Sequence, residues 1–280
     1  MVTDNVSSAD NQQEILHDLF YYAGFAAGEM SCSLLRLSNR KSKTGGIYYT
    51  PDITISNSDK SLLKEVNKRM ANGMGVISPI KGGFNLSIRG KNKVKRVLSF
   101  FRNYPPITGD LVLSKLLLMT KAIELLENKR GYRRTLGEQK RLEGIRREFR
   151  RLKETAVPIS EFAQQTEDTN AIGYFISGVL DAEGSVGIKR SGGRGQPFIA
   201  VAMKDKKIVD LFQDFLGYGH IHYRPKEKIH HFEIGSRKEV LITLPLFSEV
   251  FPSKLTKMKK RIDKLQEILN DYTPGSSPVW

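Results

Sequence analysis

The sequence predicts an α+β protein made of two copies of an αββαββα domain, each holding one antiparallel sheet. Three observations carry this reading. Residues 22–29 read Tyr-Ala-Gly-Phe-Ala-Ala-Gly-Glu and residues 176–184 read Ile-Ser-Gly-Val-Leu-Asp-Ala-Glu-Gly, two apolar runs with small residues four apart and a glutamate near the end. Each run is followed by the same landmarks in the same order. A strand-like stretch leads to Asp59-Lys60 or Asp205-Lys206, then to an amphipathic segment. Next come a Gly-x-Gly turn (Gly73 to Gly75, Gly217 to Gly219) and an alternating segment (Asn85 to Lys91, His231 to Arg237) leading to Val94 or Val240. Finally, helical and period-2 patterns alternate along both halves. A single duplicated domain accounts for all three, and its period is too long for a solenoid array.

In the opening helix of each copy, residues four apart share a face. Gly24 and Gly28 form one small-residue stripe, Gly178 and Ala182 the other, so the two helices are expected to pack backbone to backbone. That packing would bring Glu29 and Glu183 together at the helix ends. A carboxylate at a helix C-terminus opposes the macrodipole, and two acids held at such ends call for a metal ion. In the first copy, Cys32 to Leu37 and Ile47 to Ile55 read as strands, with Thr44-Gly45-Gly46 turning between them. Asn57-Ser58-Asp59 supplies an N-cap for a helix over 60–71. Val76 to Ile80 and Phe84 to Ile88 form a hairpin around Gly82-Gly83. A helix from Lys93 to Phe101 stops at Pro105-Pro106. In the second copy, Ser185 to Arg190 and Pro197 to Met203 are strands, and Ile221 to Arg224 pairs with His230 to Ile234.

Between the copies lies an unrepeated stretch. Leu111 to Leu126 is amphipathic, and residues 129–154 hold 11 Lys/Arg against 4 Asp/Glu with apolar residues at helical spacing. The expected organisation is a tail over 1–14, a first domain over 15–104, a basic helical connector and linker over 105–170, and a second domain over 171–280. Ala156 to Thr169 is the linker.

Composition narrows the function. The 280 residues carry a formal net charge of +15 and a pI of about 9.8, which suits a polyanionic partner. No apolar run approaches the roughly 20 residues that span a bilayer, and the N-terminus lacks a signal-peptide core. The single cysteine, Cys32, excludes an internal disulfide and a thiolate metal cage. A reducing, DNA-containing compartment, cytosolic or organellar, is expected. One sheet face in each copy should pack on helices. The other is expected to carry Ser33, Arg36, Ser38, Arg40, Lys41 and Lys43 in the first copy. In the second it is expected to carry Lys189, Arg190, Arg194, Gln196, His222, Arg224, Lys226 and Lys228. A two-stranded ribbon fits the DNA major groove, where such side chains read base edges. His220, His222, His230 and His231 cluster on the second hairpin, and polar contact is the reading preferred for them over metal ligation.

Ile176 to Gly184 resembles the LAGLIDADG signature of homing endonucleases and related maturases, and Tyr22 to Met30 resembles it more loosely. The resemblance spans roughly residues 15–270, and two copies in one chain look like the monomeric branch of that family. It implies two curved sheets forming a DNA-binding saddle. It also implies that the acid in the eighth motif position, Glu29 or Glu183, binds a divalent metal beside each scissile phosphate. Cleavage across the minor groove would leave 3′ overhangs. Magnesium is the implied cofactor, manganese a substitute, and calcium an ion that permits binding without efficient turnover. The family's water-polarising lysine falls by spacing from Pro252 on Lys257, with Lys254 the alternative. The same spacing from Pro105 lands on Asp110, with Lys115 next. Gly184 suits a left-handed helix end, whereas the first copy has Met30 there and Ala27 in place of Asp181, which implies a weaker first site.

The function expected is therefore a sequence-specific, metal-dependent double-stranded DNA endonuclease encoded within an intron or similar element. The alternative is an intron RNA maturase or a non-cleaving nucleic-acid-binding regulator on the same fold.

Overall fold

The computed structural model describes residues 16–38, 47–127, 134–152, 166–191 and 194–271. The 1–14 tail, the Thr44-Gly45-Gly46 turn and residues 153–165 lie outside them. The chain forms two compact units, one of Met1–Gly28 with Gln165–Trp280, the other of Glu29–Gln164. The division does not follow the repeat, because the first motif helix groups with the second copy.

In the unit Glu29–Gln164, β1 (Met30–Ser38), β2 (Ile47–Asn57), β3 (Val76–Ile80) and β4 (Gly83–Arg89) form an antiparallel sheet in the order β1-β2-β4-β3. The helix α2 (Lys60–Ala71) begins where the sequence places it. Asp59 is its N-cap and accepts from the Ser61 and Leu62 backbone N–H groups, satisfying two orphan donors of the first turn. Its apolar stripe, Leu62, Leu63, Val66 and Met70, is buried. Each such side chain contributes roughly 1.5–3 kcal/mol of transfer free energy. The helix α3 (Lys91–Asn103) stops before Pro105-Pro106. Two further helices, α4 (Asp110–Glu127) and α5 (Leu136–Arg151), come from the stretch expected to connect the copies. They pack on β1 instead of bridging freely. Leu142 and Phe149 of α5 are buried, Tyr49 Oη donates to Glu143 at 2.8 Å, and Arg146 Nε donates to the Leu34 carbonyl at 3.0 Å.

The other unit holds both motif helices, α1 (Leu19–Glu29, which ends across the boundary) and α6 (Thr169–Glu183). Its sheet is built from β5 (Gly184–Ser191), β6 (Arg194–Met203), β7 (His220–Arg224) and β8 (Ile229–Ile234), in the order β5-β6-β8-β7. The helices α7 (Lys206–Leu216), α8 (Arg237–Pro245) and α9 (Thr256–Asn270) cover one face. The duplication is legible in the registers. Leu34 pairs with Pro51 and Ile188 with Pro197; Arg36 pairs with Tyr49 and Arg190 with Gly195.

Candidate functional site

Both motif helices are apolar nearly all round, which is the pattern of a helix buried on more than one side. A Cβ added at Gly24 would lie 1.9 Å from the Phe175 carbonyl oxygen, and one at Gly178 would lie 2.0 Å from that of Tyr21. A Cβ at Gly28 would meet the Ala182 Cβ at 2.6 Å and the Glu183 Cγ at 2.9 Å. The two backbones therefore touch along the line of Gly24, Gly28, Gly178 and Ala182, and glycine is required there by close approach.

Asp181, in the sixth motif position, is 3% exposed. Its carboxylate accepts from Tyr21 Oη on α1 at 2.6 Å, from Ser253 Oγ, and from the Lys254 and Leu255 backbone N–H groups at 2.7 and 2.8 Å. Burial raises its pKa, opposed by these four donors. Asp181 thus ties both motif helices to the loop before α9. Because the shift is upward, its contribution to stability is present below the ordinary aspartate range and is lost as pH rises through the raised value. Asp181→Ala strands buried donors and is expected to cost about 3 kcal/mol. Asp181→Asn keeps an acceptor for the three donors on one oxygen and should cost under about 1 kcal/mol. Urea unfolding at pH 7 measures both. Equal losses would show that the charge, not the hydrogen bonds, is what Asp181 supplies.

Gly184 corrects the expectation of a left-handed helix end. Its φ is −88° and ψ 161°, extended backbone that opens β5. Glycine is needed because a Cβ would fall 2.3 Å from the Leu180 carbonyl oxygen. Met30 likewise opens β1 and is buried, so its side chain is no defect in a helix cap.

Glu29 ends α1, and its Oε1 accepts from Asn57 Nδ2 at 3.1 Å. Asn57 is itself oriented, its Oδ1 accepting from the Asp59 N–H at 2.9 Å. Lys115 Nζ donates to the carbonyl of Met30, the next residue, at 2.7 Å. Glu183 ends α6 and is exposed. Because Met30 pairs with Ile55 and Gly184 with Val201, Met203 occupies the register of Asn57. Lys254 Nζ pairs with Asp18 at 2.6 Å and lies 5.3 and 5.2 Å from the ring centres of Tyr21 and Tyr22. Lys257 is exposed in the first turn of α9, and Asp110 opens α4. Sequence reasoning missed Asn57 as a partner of Glu29, having read it only as part of a helix cap.

Successive strand residues face opposite sides, and the registers of β1–β2 and β5–β6 are unbroken. Arg36 therefore shares the helix-packed face with Met30, Cys32 and Leu34, and its Nε lies 3.4 Å from Glu143 Oε1 on α5. Arg190 shares the face of Val186 and Ile188 and lines a groove with α9. Both are corrections to the expected nucleic-acid face, made by pleat parity. Arg40 and Lys43 lie outside the described residues, as does the side chain of Arg194.

The open face of the first sheet presents Ser31, Ser33, Thr50, Thr54, Ser78, Asn85 and Ser87. Asp52 there accepts from Arg89 Nε at 3.2 Å and Ser87 Oγ at 3.1 Å. The open face of the second sheet presents Lys189, Gln196, His222 and Arg224, with Lys226 and Lys228 in the exposed turn after β7. Lys189 pairs with Glu233, and Gln196 donates to the Gly235 carbonyl at 3.1 Å. His222 and His231 stand with ring centres 4.5 Å apart. Burial lowers the His231 pKa, with Arg224 and His222 adding to the shift.

Among the described residues no group of three or more His, Cys, Asp or Glu converges on a point, and no helix is long and apolar enough to cross a membrane. A divalent ion at Glu29 or Glu183 fits the donor chemistry of magnesium, which takes one or two carboxylates and fills its shell with water and phosphate.

No family model matches the chain, and no curated protein matches it. Solved structures do. The homing endonuclease I-GzeII in complex with its DNA target is 19% identical with a TM-score of 0.73, covering 90% of this chain and 89% of that one. I-SmaMI, bound to uncleaved DNA in the presence of calcium, gives 19% identity and 0.72 over 90% and 91%. I-CpaMI, bound to uncleaved DNA, gives 19% and 0.70 over 90% and 92%. This chain has the fold of the LAGLIDADG homing endonucleases.

Proposed function

We propose that the protein is a sequence-specific endonuclease for double-stranded DNA that acts as a monomer and hydrolyses one phosphodiester in each strand across the minor groove, leaving 3′ overhangs. The observation that carries this is the pair of matched helices, each ended by a glutamate immediately before the first strand of a sheet whose open face carries polar side chains. Glu29 and Glu183 would each hold a magnesium ion, with manganese as a substitute. Held there, such an ion would supply a more acidic bound water as nucleophile and positive charge for the leaving oxygen. Asn57 fixes the rotamer of Glu29 by donating to one of its oxygens. Lys115, held at the next carbonyl, adds positive charge beside that carboxylate. Lys257 is the candidate for the same role near Glu183, with Lys254 the alternative. The open sheet faces contact the duplex. Lys189, Gln196, His222, Arg224, Lys226 and Lys228 are its contacts on the second sheet, and Ser/Thr hydroxyls with Arg89 are its contacts on the first. The surrounding compartment is reducing and holds DNA.

The decisive experiment selects cleavage sites from a randomised plasmid library with purified protein and magnesium. A discrete long site with 3′ overhangs is expected. Calcium should support binding but not cutting, and excess chelator should stop turnover. Cleavage that persists undiminished in chelator would remove the metal from the mechanism.

Binding should also weaken steeply with salt, because Lys and Arg on phosphates release counterions. A log–log slope of about −4 or steeper is expected for five or more phosphate contacts. A slope near zero would contradict the proposed interface.

One observation favours the alternative of an RNA maturase or non-cleaving regulator. The helix α5, on the helix side of the first sheet, exposes Arg141, Arg147 and Arg150. Tighter binding of folded intron RNA than of any duplex would promote it.

A further inference from the structure

A groove of about 480 Å³ lies between β5–β6 and α9, with an apolar floor of Val186, Ile188, Leu265 and Ile268 and with Arg190, Arg261 and Lys264 around it. Among the described residues no acidic one lines it. The internal duplication says what such a place is for. By register, Ile188, Arg190 and Gly195 stand where Leu34, Arg36 and Tyr49 stand in the first copy. Those three residues are the ones that α5 covers. Arg146 of α5 donates to the Leu34 carbonyl, and Glu143 takes Arg36 and the Tyr49 hydroxyl. No described element follows α9 to play the part of α5, and Gly195 leaves open the volume that the Tyr49 ring fills. The groove is also more positive than its counterpart. Counting from matched helix starts (Asp110, Thr256), Lys264 replaces Leu118.

We propose that this groove docks an amphipathic helix of a partner protein, which presents a glutamate to Arg190, acidic residues to Arg261 and Lys264, and apolar residues to the floor. A patch of bare positive charge would suit nucleic acid equally. The apolar floor, and the helix seated on the matching surface of the first copy, favour a protein helix. The lining residues of α9 from Arg261 to Ile268 span about two turns, roughly 11 Å, enough for the contact face of a short helix. The proposal stands apart from the nuclease reading, since the groove lies on the helix-covered face of the sheet.

The probe is a fluorescein-labelled peptide of residues 136–151 carrying Arg141→Glu, Arg147→Glu, Arg150→Glu and Arg151→Glu, titrated with the full chain and followed by anisotropy. Saturable binding is expected, with a midpoint of about 10–100 μM. Arg190→Glu and Lys264→Glu should each weaken it about tenfold or more. Gly195→Tyr, which restores the ring present in the first copy, should block it. A peptide with Leu142→Ser and Phe149→Ser should not bind. Circular dichroism checks that the variants fold. A flat titration to about 1 mM overturns the proposal, as does binding indifferent to the apolar residues or to Gly195→Tyr. Displacement by an RNA or DNA oligonucleotide at equal ionic strength would also overturn it and make the groove a nucleic-acid surface.

Discussion

Glu183→Gln and Glu29→Gln are each expected to slow double-strand cleavage by at least about 100-fold while leaving DNA affinity within about threefold. Glutamine keeps the shape and removes the ligand charge. Losing an ion that contributes several kcal/mol to stabilising the reacting phosphate converts at about 1.36 kcal/mol per factor of ten. The hydrogen bond from Asn57 to Glu29 Oε1 can survive, because a glutamine carbonyl accepts as well. Each mutant should therefore nick a supercoiled plasmid and stall at the open circle, with end-labelled strands showing which one stays intact. Normal linearisation by either mutant would remove that glutamate from the catalytic assignment.

By motif letters the second copy is the more complete. Yet Asp181 and Gly184 serve helix packing and close approach, and neither acts on the chemistry of Glu183. Glu29 has an oriented amide from Asn57 and a lysine at the next carbonyl. Asn57→Ala is therefore expected to slow cleavage of the strand governed by Glu29 alone, read with each strand end-labelled.

Gly24→Ala and Gly178→Ala are expected to destabilise the protein by about 3 kcal/mol each. Alanine gains up to about 1 kcal/mol of helix propensity over glycine. The added methyl would sit about 2 Å from a carbonyl oxygen of the facing helix, which forces the backbones apart, and such overpacking costs about 1–3 kcal/mol or more. The clash wins, and with about 2–4 °C per kcal/mol at this size the melting temperature should fall by about 6–12 °C. Gly137→Ala and Gly144→Ala, in α5 with nothing within 4 Å of the added carbon, carry the propensity gain without the clash and should be neutral or stabilising. Unchanged melting of Gly24→Ala and Gly178→Ala would mean that the motif helices do not meet backbone to backbone.

The features that were legible in the sequence are local ones. The helix Lys60–Ala71 announces itself through its apolar stripe and the Asp59 cap. The hairpin at Gly82-Gly83 follows from turn chemistry, and the glutamates stand at helix ends because small-residue spacing marks the helices. The duplication is visible because both copies keep these signals in one order. Local periodicity does not say what fills the space across a sheet or at a helix end. Arg36 and Arg190 look like members of a basic face, yet unbroken pleating from Met30 and Gly184 turns both toward helices. Asp181 reads as one motif letter, while its partners lie 160 residues before it and 72 to 74 residues after it. Asn57 meets Glu29 across a sequence separation of 28 residues. The basic stretch before the second copy looks like a free bridge, yet α5 packs on β1 and α4 and buries Leu142 and Phe149. By itself the sequence determined the repeat, the element types and the two acids, since each depends on residues a few positions apart. Only the tertiary structure decided which side chains face outward and what holds each acid, because those depend on register and packing between segments that no local pattern encodes.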